Sequence, residues 1–498
     1  MISYLIFSPL LFVPFIFLFP ERYSRLIGLI SSLLSMVIAV LIYQKFDGLD
    51  SAYQMVEIYP WIPQWGVAYT VGLDGISLPL IMLTAFLSPL AILGTWTKEP
   101  KKREKFFVSL IGLMQLGLYG TFASMDMVLF YFFWEIILIP MFFLIGIWGG
   151  SNRIYATMKF VLYTMSGSLL MLVAILWMMF TFKNGSGGQW SALITDLSTL
   201  RYDFDPSTLQ TALFSPQMLL FAAFTLSFMI KVPLVPLHTW LPDAHVEAPT
   251  IGSVFLAAVL LKMGTYGLMR FSMPFFPQAS QYSSSFFLIM GAVSVVYGAL
   301  CAYAQTDFKK LVAYSSVSHM GLIVMALFSF EPIAASGALY QIIGHGISSA
   351  GLFMVVGFLY ERRHTRDLSD FGGLAKVVPL MAIAFLILTL ASSALPGTSG
   401  FPGEFSILLG TFQVAPMLTV IGGLGVILGP MYGLRAYQLV MLGPVNKEEN
   451  QKLIDLKLPE ILAVLGLLVF VFGIGFFPGK FFEKSSGSLE NFSKVIKE

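Results

Sequence analysis

Long apolar runs separated by short polar stretches fill almost the whole chain of 498 residues. A helix that crosses the hydrocarbon core of a bilayer needs about 20 mainly apolar residues. The run 377–413 is too long for one straight helix, and its Pro396-Gly397-Thr398-Ser399-Gly400 segment predicts a break in its middle. The pattern predicts an all-α integral membrane protein with about fourteen transmembrane helices, near residues 2–19, 26–45, 76–97, 106–124, 127–148, 156–182, 216–237, 250–270, 284–305, 308–330, 334–360, 377–413, 415–442 and 459–477.

The amino-acid composition agrees with an integral membrane protein and argues against a soluble domain, a nucleic-acid-binding protein and an iron–sulfur protein. The chain is 57% hydrophobic and 11% charged, with a mean hydropathy of +0.81, whereas a soluble domain of this size needs far more polar surface. A net charge of +2 gives no reason to expect a nucleic-acid partner. Cys301 is the only cysteine, so the chain cannot supply four thiolates to an iron–sulfur cluster.

The lysines and arginines between the predicted spans indicate an orientation, because such residues concentrate in cytoplasmic loops. Eighteen follow odd-numbered spans: Arg22, Arg25, Lys98, Lys101, Lys102, Arg103, Lys105, Arg153, Lys159, Lys309, Lys310, Arg362, Arg363, Arg366, Lys376, Lys447, Lys452 and Lys457. Eight fall on the opposite side: Lys45, Lys183, Arg201, Arg270 and four in the C-terminal tail. We therefore expect cytoplasmic odd-numbered loops and both termini on the external side. The basic tail is the one feature that opposes this assignment.

Seven titratable side chains fall inside predicted spans. A charge at the centre of a span costs about 2.5–3.5 kcal/mol on insertion scales. One such residue is as readily a structural ion pair as a functional group, but seven together favour transport of protons or other cations. The seven are Lys231, Lys262, Arg435, Glu135, Glu404, His319 and His345.

The spacing of these charges predicts two related halves. Lys231 precedes Lys262 by 31 residues, and Glu404 precedes Arg435 by 31. Lys231 and Glu404 each lie two residues from a proline that interrupts their helix. Corresponding breaks in two halves indicate the transport site of a repeated membrane fold.

The predicted halves divide the chain into four segments. The repeats cover residues 106–270 and 284–442, with five spans each, and an odd number of spans forces the halves into opposite orientations. An N-terminal segment of three spans, 1–105, precedes them, and a final span with its tail, 443–498, follows.

Lysine, glutamate and histidine together suit proton chemistry. Burial disfavours the charged forms of lysine and glutamate, and pairing restores them. A lysine near a movable carboxylate can therefore hold or release a proton. Histidine titrates near neutral pH, and His319 and His345 have small or hydroxylated neighbours that leave room for water. We interpret both as relay positions rather than core hydrogen-bonding groups.

Five segments resemble the antiporter-like subunits of proton-pumping NADH:quinone oxidoreductase, respiratory complex I. The resemblance covers nearly the whole chain, and the long lysine motif is its most specific part. The segments are FWEIILIP at 133–140, KVPLVPLHTWLPDAHVEAP at 231–249, LLKMGTYG at 260–267, and the short motifs around His319 and His345.

The resemblance implies a role for most candidate residues. Glu135 corresponds to the carboxylate that tunes Lys231, and Lys262 to the first connecting site. His319 and His345 correspond to a central relay, and Glu404 to a terminal site that faces the external side. His238 and His245 match the motif but lie where the broken helix meets a loop, so we assign them at most a gating or structural role. Arg435 is a candidate only from the repeat spacing.

Glu404 also predicts the type of subunit. The resemblance implies lysine at the second broken helix in most family members, whereas one type carries glutamate there. Fourteen spans without a long C-terminal lateral helix agree with that type rather than with the longer L-type.

The resemblance also implies the setting. NADH, FMN, iron–sulfur clusters and quinone are expected on other subunits, with none in this chain. L-type and N-type subunits and the lipid bilayer are the expected partners. The expected location is an energy-transducing membrane, in particular a bacterial inner membrane.

Two alternatives remain open. The chain could belong to a multi-subunit Na⁺/H⁺ antiporter or a membrane-bound hydrogenase, which share the superfamily. It could instead be a structural subunit whose buried charges only join helices. Loss of assembly in variants of Lys231 or Glu135 would favour the structural role, and loss of transport would favour the functional one.

Overall fold

The computed structural model of the chain describes residues 1–96, 103–445 and 447–496. Three lysines of the predicted cytoplasmic cluster, Lys98, Lys101 and Lys102, lie outside the described residues.

The first half of the chain is helical apart from one hairpin. Its strands are β1 (Gln54–Ile62) and β2 (Val67–Leu73). Its helices are α1 (Ile2–Leu11), α2 (Val13–Leu18), α3 (Ser24–Lys45), α4 (Ser77–Gly94), α5 (Glu104–Ala123), α6 (Met127–Ile136), α7 (Leu138–Trp148), α8 (Arg153–Gly185), α9 (Ile194–Leu197), α10 (Leu209–Phe214), α11 (Pro216–Lys231) and α12 (Trp240–Glu247).

One long helix, Thr250–Phe275, links the two halves and alternates between α and π geometry. It consists of α13 (Thr250–Phe255), a π segment (Leu256–Leu260), α14 (Leu261–Gly267), a second π segment (Leu268–Ser272) and α15 (Met273–Phe275). The remaining helices are α16 (Pro277–Tyr282), α17 (Ser284–Ala304), α18 (Phe308–Phe328), α19 (Pro332–Arg363), α20 (Pro379–Ser392), α21 (Gly400–Val414), α22 (Pro416–Met441), α23 (Glu448–Gln451), α24 (Leu458–Phe476), α25 (Pro478–Phe482) and α26 (Ser486–Val495).

Eleven helices of the described residues are long and apolar enough to cross a membrane. Three shorter apolar helices, Ile2–Leu18, Pro216–Lys231 and Pro379–Ser392, occupy further predicted spans. The prediction of a helical membrane fold is confirmed. The count of fourteen, the inverted repeats and the four-segment division stay predictions.

The hairpin of β1 and β2 is a feature that the all-α prediction missed. The strands pair antiparallel, with Ile58 opposite Thr70 and Tyr59 opposite Tyr69. Aromatic and β-branched side chains, which suit strands, are frequent in both. Gly66, at a φ of +61°, reverses the chain before β2. The segment is too short to cross a membrane, so the search for long apolar runs predicted no secondary structure for it.

Both predicted helix breaks are present. Helix α11 ends at Lys231, six residues before the predicted boundary at 237, and α12 begins only at Trp240. Backbone groups freed at membrane depth must find partners in the protein. Here the indole Nε1–H of Trp240 donates to the carbonyl of Ile230 at 2.8 Å, and the Val235 N–H donates to Ser294 Oγ at 3.1 Å. The second break separates α20 from α21.

The most enclosed helices lie at the centre of the bundle. The apolar windows of Thr250–Phe275 and Pro332–Arg363 are fully buried, and that of Phe308–Phe328 is 94% buried. The window of Pro416–Met441 is only 28% buried, as expected for a helix at the periphery. The three central helices carry Lys262, His345 and His319.

Glycines allow α19 and α21 to pack backbone against backbone. A Cβ atom at Gly337 would lie 2.7 Å from the Ile407 nitrogen, and one at Gly403 would lie 2.6 Å from the Gln341 nitrogen. Small residues permit such close approach between membrane helices. This contact sets the depth and distance at which Glu404 faces the centre of the bundle.

Two basic residues that were counted as loop charges, Arg270 and Lys309, are largely enclosed by the protein. Arg270 is 11% exposed, and its Nη2 lies 2.5 Å from Oδ1 of Asp74, the residue that follows the second strand of the hairpin. Lys309 Nζ donates to the carbonyl of Ala248 at 2.5 Å. The count of loop charges treated both residues as solvated. Instead, each lies at the end of a helix that is enclosed by other parts of the protein.

Replacing Gly337 with alanine should push α19 and α21 apart and destabilise the protein by about 1–3 kcal/mol, since overpacking has a cost of that order. Thermal denaturation in detergent measures the effect. Gly423→Ala is the matched control, because the nearest atom to its added Cβ would be Leu408 Cδ2 at 4.0 Å. Equal denaturation temperatures for the two variants would contradict the proposed packing.

Candidate functional site

Lys262 lies at the centre of the bundle, fully buried, just after the first π segment. Its Nζ donates to the carbonyl of Ala257 at 2.6 Å and lies 2.7 Å from His345 Nδ1. Ala257 belongs to the π segment, five residues before the lysine. Such segments interrupt the regular hydrogen-bond ladder of a helix and occur often at functional sites. The lysine is thus oriented by its own helix and by α19.

A line of polar side chains continues from His345 to the second broken helix. The ring centres of His345 and His319 lie 5.1 Å apart. His319 Nδ1 then lies 3.0 Å from Glu404 Oε1, and all three residues are buried. Glu404 stands in the first turns of α21, directly after the break. Lys262, His345, His319 and Glu404 therefore form one sequence of neighbouring groups.

Three further side chains belong to this site and were missed by the sequence analysis. Gln341 Nε2 donates to Glu404 Oε1 at 2.9 Å. Ser392 Oγ and Tyr432 Oη lie 3.3 and 3.4 Å from His319 Nε2. Gln341 precedes His345 by four residues, so helical spacing could have identified it. No sequence signal marks the other two, whose helices meet His319 only in the folded protein.

Lys231 and Glu135 form a second group. Lys231 is buried at the end of α11, and its Nζ lies 5.0 Å from the ring centre of Trp134 and 5.9 Å from that of Phe160. Its charge interacts electrostatically with Glu135. Among the described residues, however, neither Lys231 Nζ nor Glu135 Oε1 has a hydrogen-bond partner. Aromatic rings stabilise the lysine here, and the carboxylate acts on it without a direct bond.

The two histidines of the lysine motif differ in their surroundings. His245, which the sequence analysis placed where the broken helix meets a loop, is fully buried in α12 and stacks on Phe353 at 4.4 Å between ring centres. The charges of Lys262 and Lys309 act on it. His238 is buried beside Tyr297, at 5.3 Å between ring centres, in the break itself.

Arg435 does not join either group. Its side chain is exposed on α22, donates to the carbonyl of Tyr303 and lies 4.5 Å from that residue's ring centre. The repeat spacing made Arg435 a candidate counterpart of Lys262, but a spacing fixes a span and not the face of its helix, and its side chain contacts Tyr303 instead.

No metal centre accompanies these groups within the part of the chain that the structure describes: no three His, Cys, Asp or Glu residues there converge as ligands.

Two family profiles match the chain along most of its length. Residues 124–429 match the profile described as NADH:quinone oxidoreductase/Mrp antiporter, TM. Residues 1–121 match the profile described as NADH-ubiquinone oxidoreductase chain 4, amino terminus.

Full-length relatives agree with these matches. NADH-quinone oxidoreductase subunit M of Rickettsia conorii is 39% identical over 98% of this chain and 98% of its own length. Subunit M of Rhodobacter capsulatus is 42% identical, over 92% of this chain and 88% of its own.

Solved structures show the same fold. A chain of respiratory complex I from Thermus thermophilus with bound NADH has a TM-score of 0.89 and 32% identity, covering 100% of both chains. A chain of the Mrp complex from Dietzia sp. has a TM-score of 0.82, covering 99% of this chain and 98% of its own. At 19% identity the latter likeness shows the fold alone.

The broken helices, the buried line of lysine, histidine and glutamate, and these similarities define an antiporter-like membrane subunit of NADH:quinone oxidoreductase. Within that class the chain belongs to the subunit M family, also named chain 4. This confirms the subunit type that Glu404 predicted. The protein is a multi-pass membrane subunit of a multi-subunit oxidoreductase complex.

The contact between Lys262 and His345 predicts non-additive variants. Lys262→Met and His345→Phe each leave a buried polar partner unsatisfied, at a cost of about 1–3 kcal/mol. The double variant removes both groups and should cost less than the sum by about 0.5–3 kcal/mol. Thermal denaturation of the assembled complex measures each cost. Lys262→Met combined with the exposed Lys452→Ala is the additive control, and additivity in both pairs would contradict the contact.

Proposed function

We propose that this chain is a proton translocase of the complex, and that protons cross it along Lys262, His345, His319 and Glu404. The observation that supports this best is the line of contacts among these four residues, which runs from the helix Thr250–Phe275 to the second broken helix. Three of the residues come from the most enclosed helices of the bundle. A structural ion pair would need only two residues, whereas a proton relay needs several titratable residues in a continuous series.

The distances suit proton transfer at both ends of the line. Transfer requires heavy atoms within about 2.6–3.2 Å of each other, or one water molecule between them. Lys262 to His345, at 2.7 Å, and His319 to Glu404, at 3.0 Å, meet the first condition. The two rings, with centres 5.1 Å apart, require a ring movement or a bridging water between them. We assign this central step as the gate of the relay.

Lys231 and Glu135 act as the switch that delivers protons to these four residues. An ammonium group held only by aromatic rings depends strongly on any nearby negative charge. When the Glu135 carboxylate approaches, it favours the protonated form of Lys231, and when it withdraws, the proton is released. The interruption of α11 directly after Lys231 supports this role, because the broken helix leaves backbone groups that can hold water.

The complex supplies the driving force from elsewhere. The chain has one cysteine and so cannot hold a cluster by four thiolates. We place NADH, FMN, iron–sulfur clusters and quinone on other subunits, and L-type and N-type subunits on either side of this one. We also propose a bacterial inner membrane as its location, with both termini on the external side and Glu404 as the external terminus of the relay.

Lys231→Ala should leave the complex assembled but strongly reduce NADH-driven quinone reduction and proton pumping, by at least about tenfold, as expected when a proton-transfer group is lost. Native gels of the membranes measure assembly, and proton uptake by vesicles measures pumping. Lys183→Ala, at a lysine that lies 4.5 Å from the ring of Trp190 outside the line, is the control. Normal pumping by Lys231→Ala would refute the mechanism, and loss of assembly alone would favour a structural role.

Glu404→Lys should retain more pumping than Glu404→Ala, because a titratable group remains beside His319. Both variants lose the hydrogen bond from Gln341, so Gln341→Leu separates that loss from the loss of the proton carrier. The same vesicles test sodium: NADH-independent exchange of Na⁺ for H⁺ by this chain would support the antiporter alternative instead. Equal pumping by the lysine and alanine variants would contradict a proton-carrying role for Glu404.

A further inference from the structure

An apolar groove of about 350 Å³ runs along the side of the bundle, away from the proton line. One wall is a stripe of α4 side chains at four-residue intervals: Leu78, Met82, Phe86 and Leu90. The facing wall comes from α24, where the ring of Phe470 contacts that of Phe86 in a tilted arrangement, at 4.7 Å between ring centres. The stripe presents only hydrocarbon and one thioether, so an apolar chain is the occupant it fits.

The length of the groove matches one leaflet of a bilayer. From Leu78 to Leu90 a helix rises about 18 Å at 1.5 Å per residue. Half of a hydrocarbon core of about 30 Å is about 15 Å. The groove therefore runs from the membrane surface to about the middle of the bilayer, which is the depth that an acyl chain occupies.

Two lysines stand at the surface end of the groove. Lys480 is exposed, and its Nζ lies 5.7 Å from the ring centre of Phe477. Lys484 is half-buried and donates to the carbonyl of Phe46 at 2.6 Å, at the end of α3. Glu483 lies between them in the sequence and is exposed. Among the described residues neither ammonium forms an ion pair with a carboxylate.

These lysines belong to the basic tail that opposed the predicted orientation. A positive charge on the external side needs a local reason, because such residues favour the cytoplasmic side. An anionic group held at this end of the groove supplies that reason. Charged groups at one end and hydrocarbon along the rest are also the two parts of a phospholipid.

We propose that the groove between α4 and α24, with Lys480 and Lys484 at its mouth, binds an anionic phospholipid of the leaflet on the hairpin side. An acyl chain lies along the α4 stripe, and the phosphate contacts the two ammonium groups. Ile343 and Ile347 of α19 also line the groove, and His345 lies between them in the sequence. The lipid therefore supports the helix that carries the central histidine of the relay.

Delipidated complex provides the test. The purified complex carrying Lys480→Gln and Lys484→Gln is compared with the unmodified complex after addition of dioleoylphosphatidylglycerol or dioleoylphosphatidylcholine. Native mass spectrometry counts the retained lipid. We expect the double variant to hold phosphatidylglycerol about thirtyfold more weakly, because each lysine near an anionic headgroup contributes about fivefold.

Two further variants separate charge from shape. Lys494→Gln, in the same tail but paired with Glu490 at 2.8 Å and outside the groove, should retain the lipid normally. Met82→Trp fills part of the apolar stripe and should lose the lipid although both lysines remain. If Met82→Trp does not assemble, the double lysine variant, which leaves the apolar packing intact, decides alone.

Any of the following outcomes would overturn the proposal. The first is equal retention of phosphatidylglycerol by the double variant and the unmodified complex. The second is equal retention of phosphatidylcholine and phosphatidylglycerol by the unmodified complex, which would show that the lysines select nothing. The third is displacement of the bound species by inorganic phosphate alone, or a neighbouring subunit's side chains filling the groove in the assembled complex.

Discussion

A charged group inside a bilayer finds neither hydrogen bonds nor a polar solvent in the lipid, so the protein must supply both. Lys262 meets this requirement with a backbone carbonyl of its own helix and a histidine of the next. Arg270 meets it with Asp74 and the rings of Tyr53 and Tyr266. The helices that carry Lys262, His319 and His345 are the most enclosed ones of the bundle. The arrangement of the whole bundle follows from where its charges must be hidden.

The same requirement explains why the helices break where they do. A break frees backbone groups, and only the interior of the bundle can satisfy them. The indole of Trp240 does so after α11. After α20 the chain restarts as α21 beside α19, where Gly403 lets the two backbones meet. Broken helices and close glycine contacts therefore work together, and Glu404 is held at the centre by backbone packing rather than by a long, mobile loop.

Much of this could be predicted from the sequence, and the limits have physical causes. Apolar runs predicted the spans and prolines predicted the helix breaks, because spans and breaks both depend on local chemistry. The residues of the proton line were identifiable because charges are costly at bilayer depth. Which of these residues contact each other could not be predicted, since that depends on which face of each helix packs against a neighbouring helix. Arg435 shows this limit, and Tyr432, three residues earlier on the same helix, faces the site instead.

Sequence position alone also misjudged the helix ends. Lys309 was counted as a loop residue because it stands at the start of a span, yet it is buried against Ala248. The β hairpin was missed because its strands of nine and seven residues are too short to be read as membrane spans. In each case the information lay in long-range packing, which a single sequence does not display.

The π segment Leu256–Leu260 makes the chain length before Lys262 as critical as the lysine itself. In an α-helix each residue turns the next side chain by about 100°. A π segment has a wider turn, so loss of one residue from it would restore regular winding and remove the turn in which the Ala257 carbonyl accepts from the Lys262 ammonium group. Every side chain of the relay would be present, and the line would still be interrupted. Natural variation by insertion or deletion should therefore be absent from this stretch even where its apolar side chains are interchangeable.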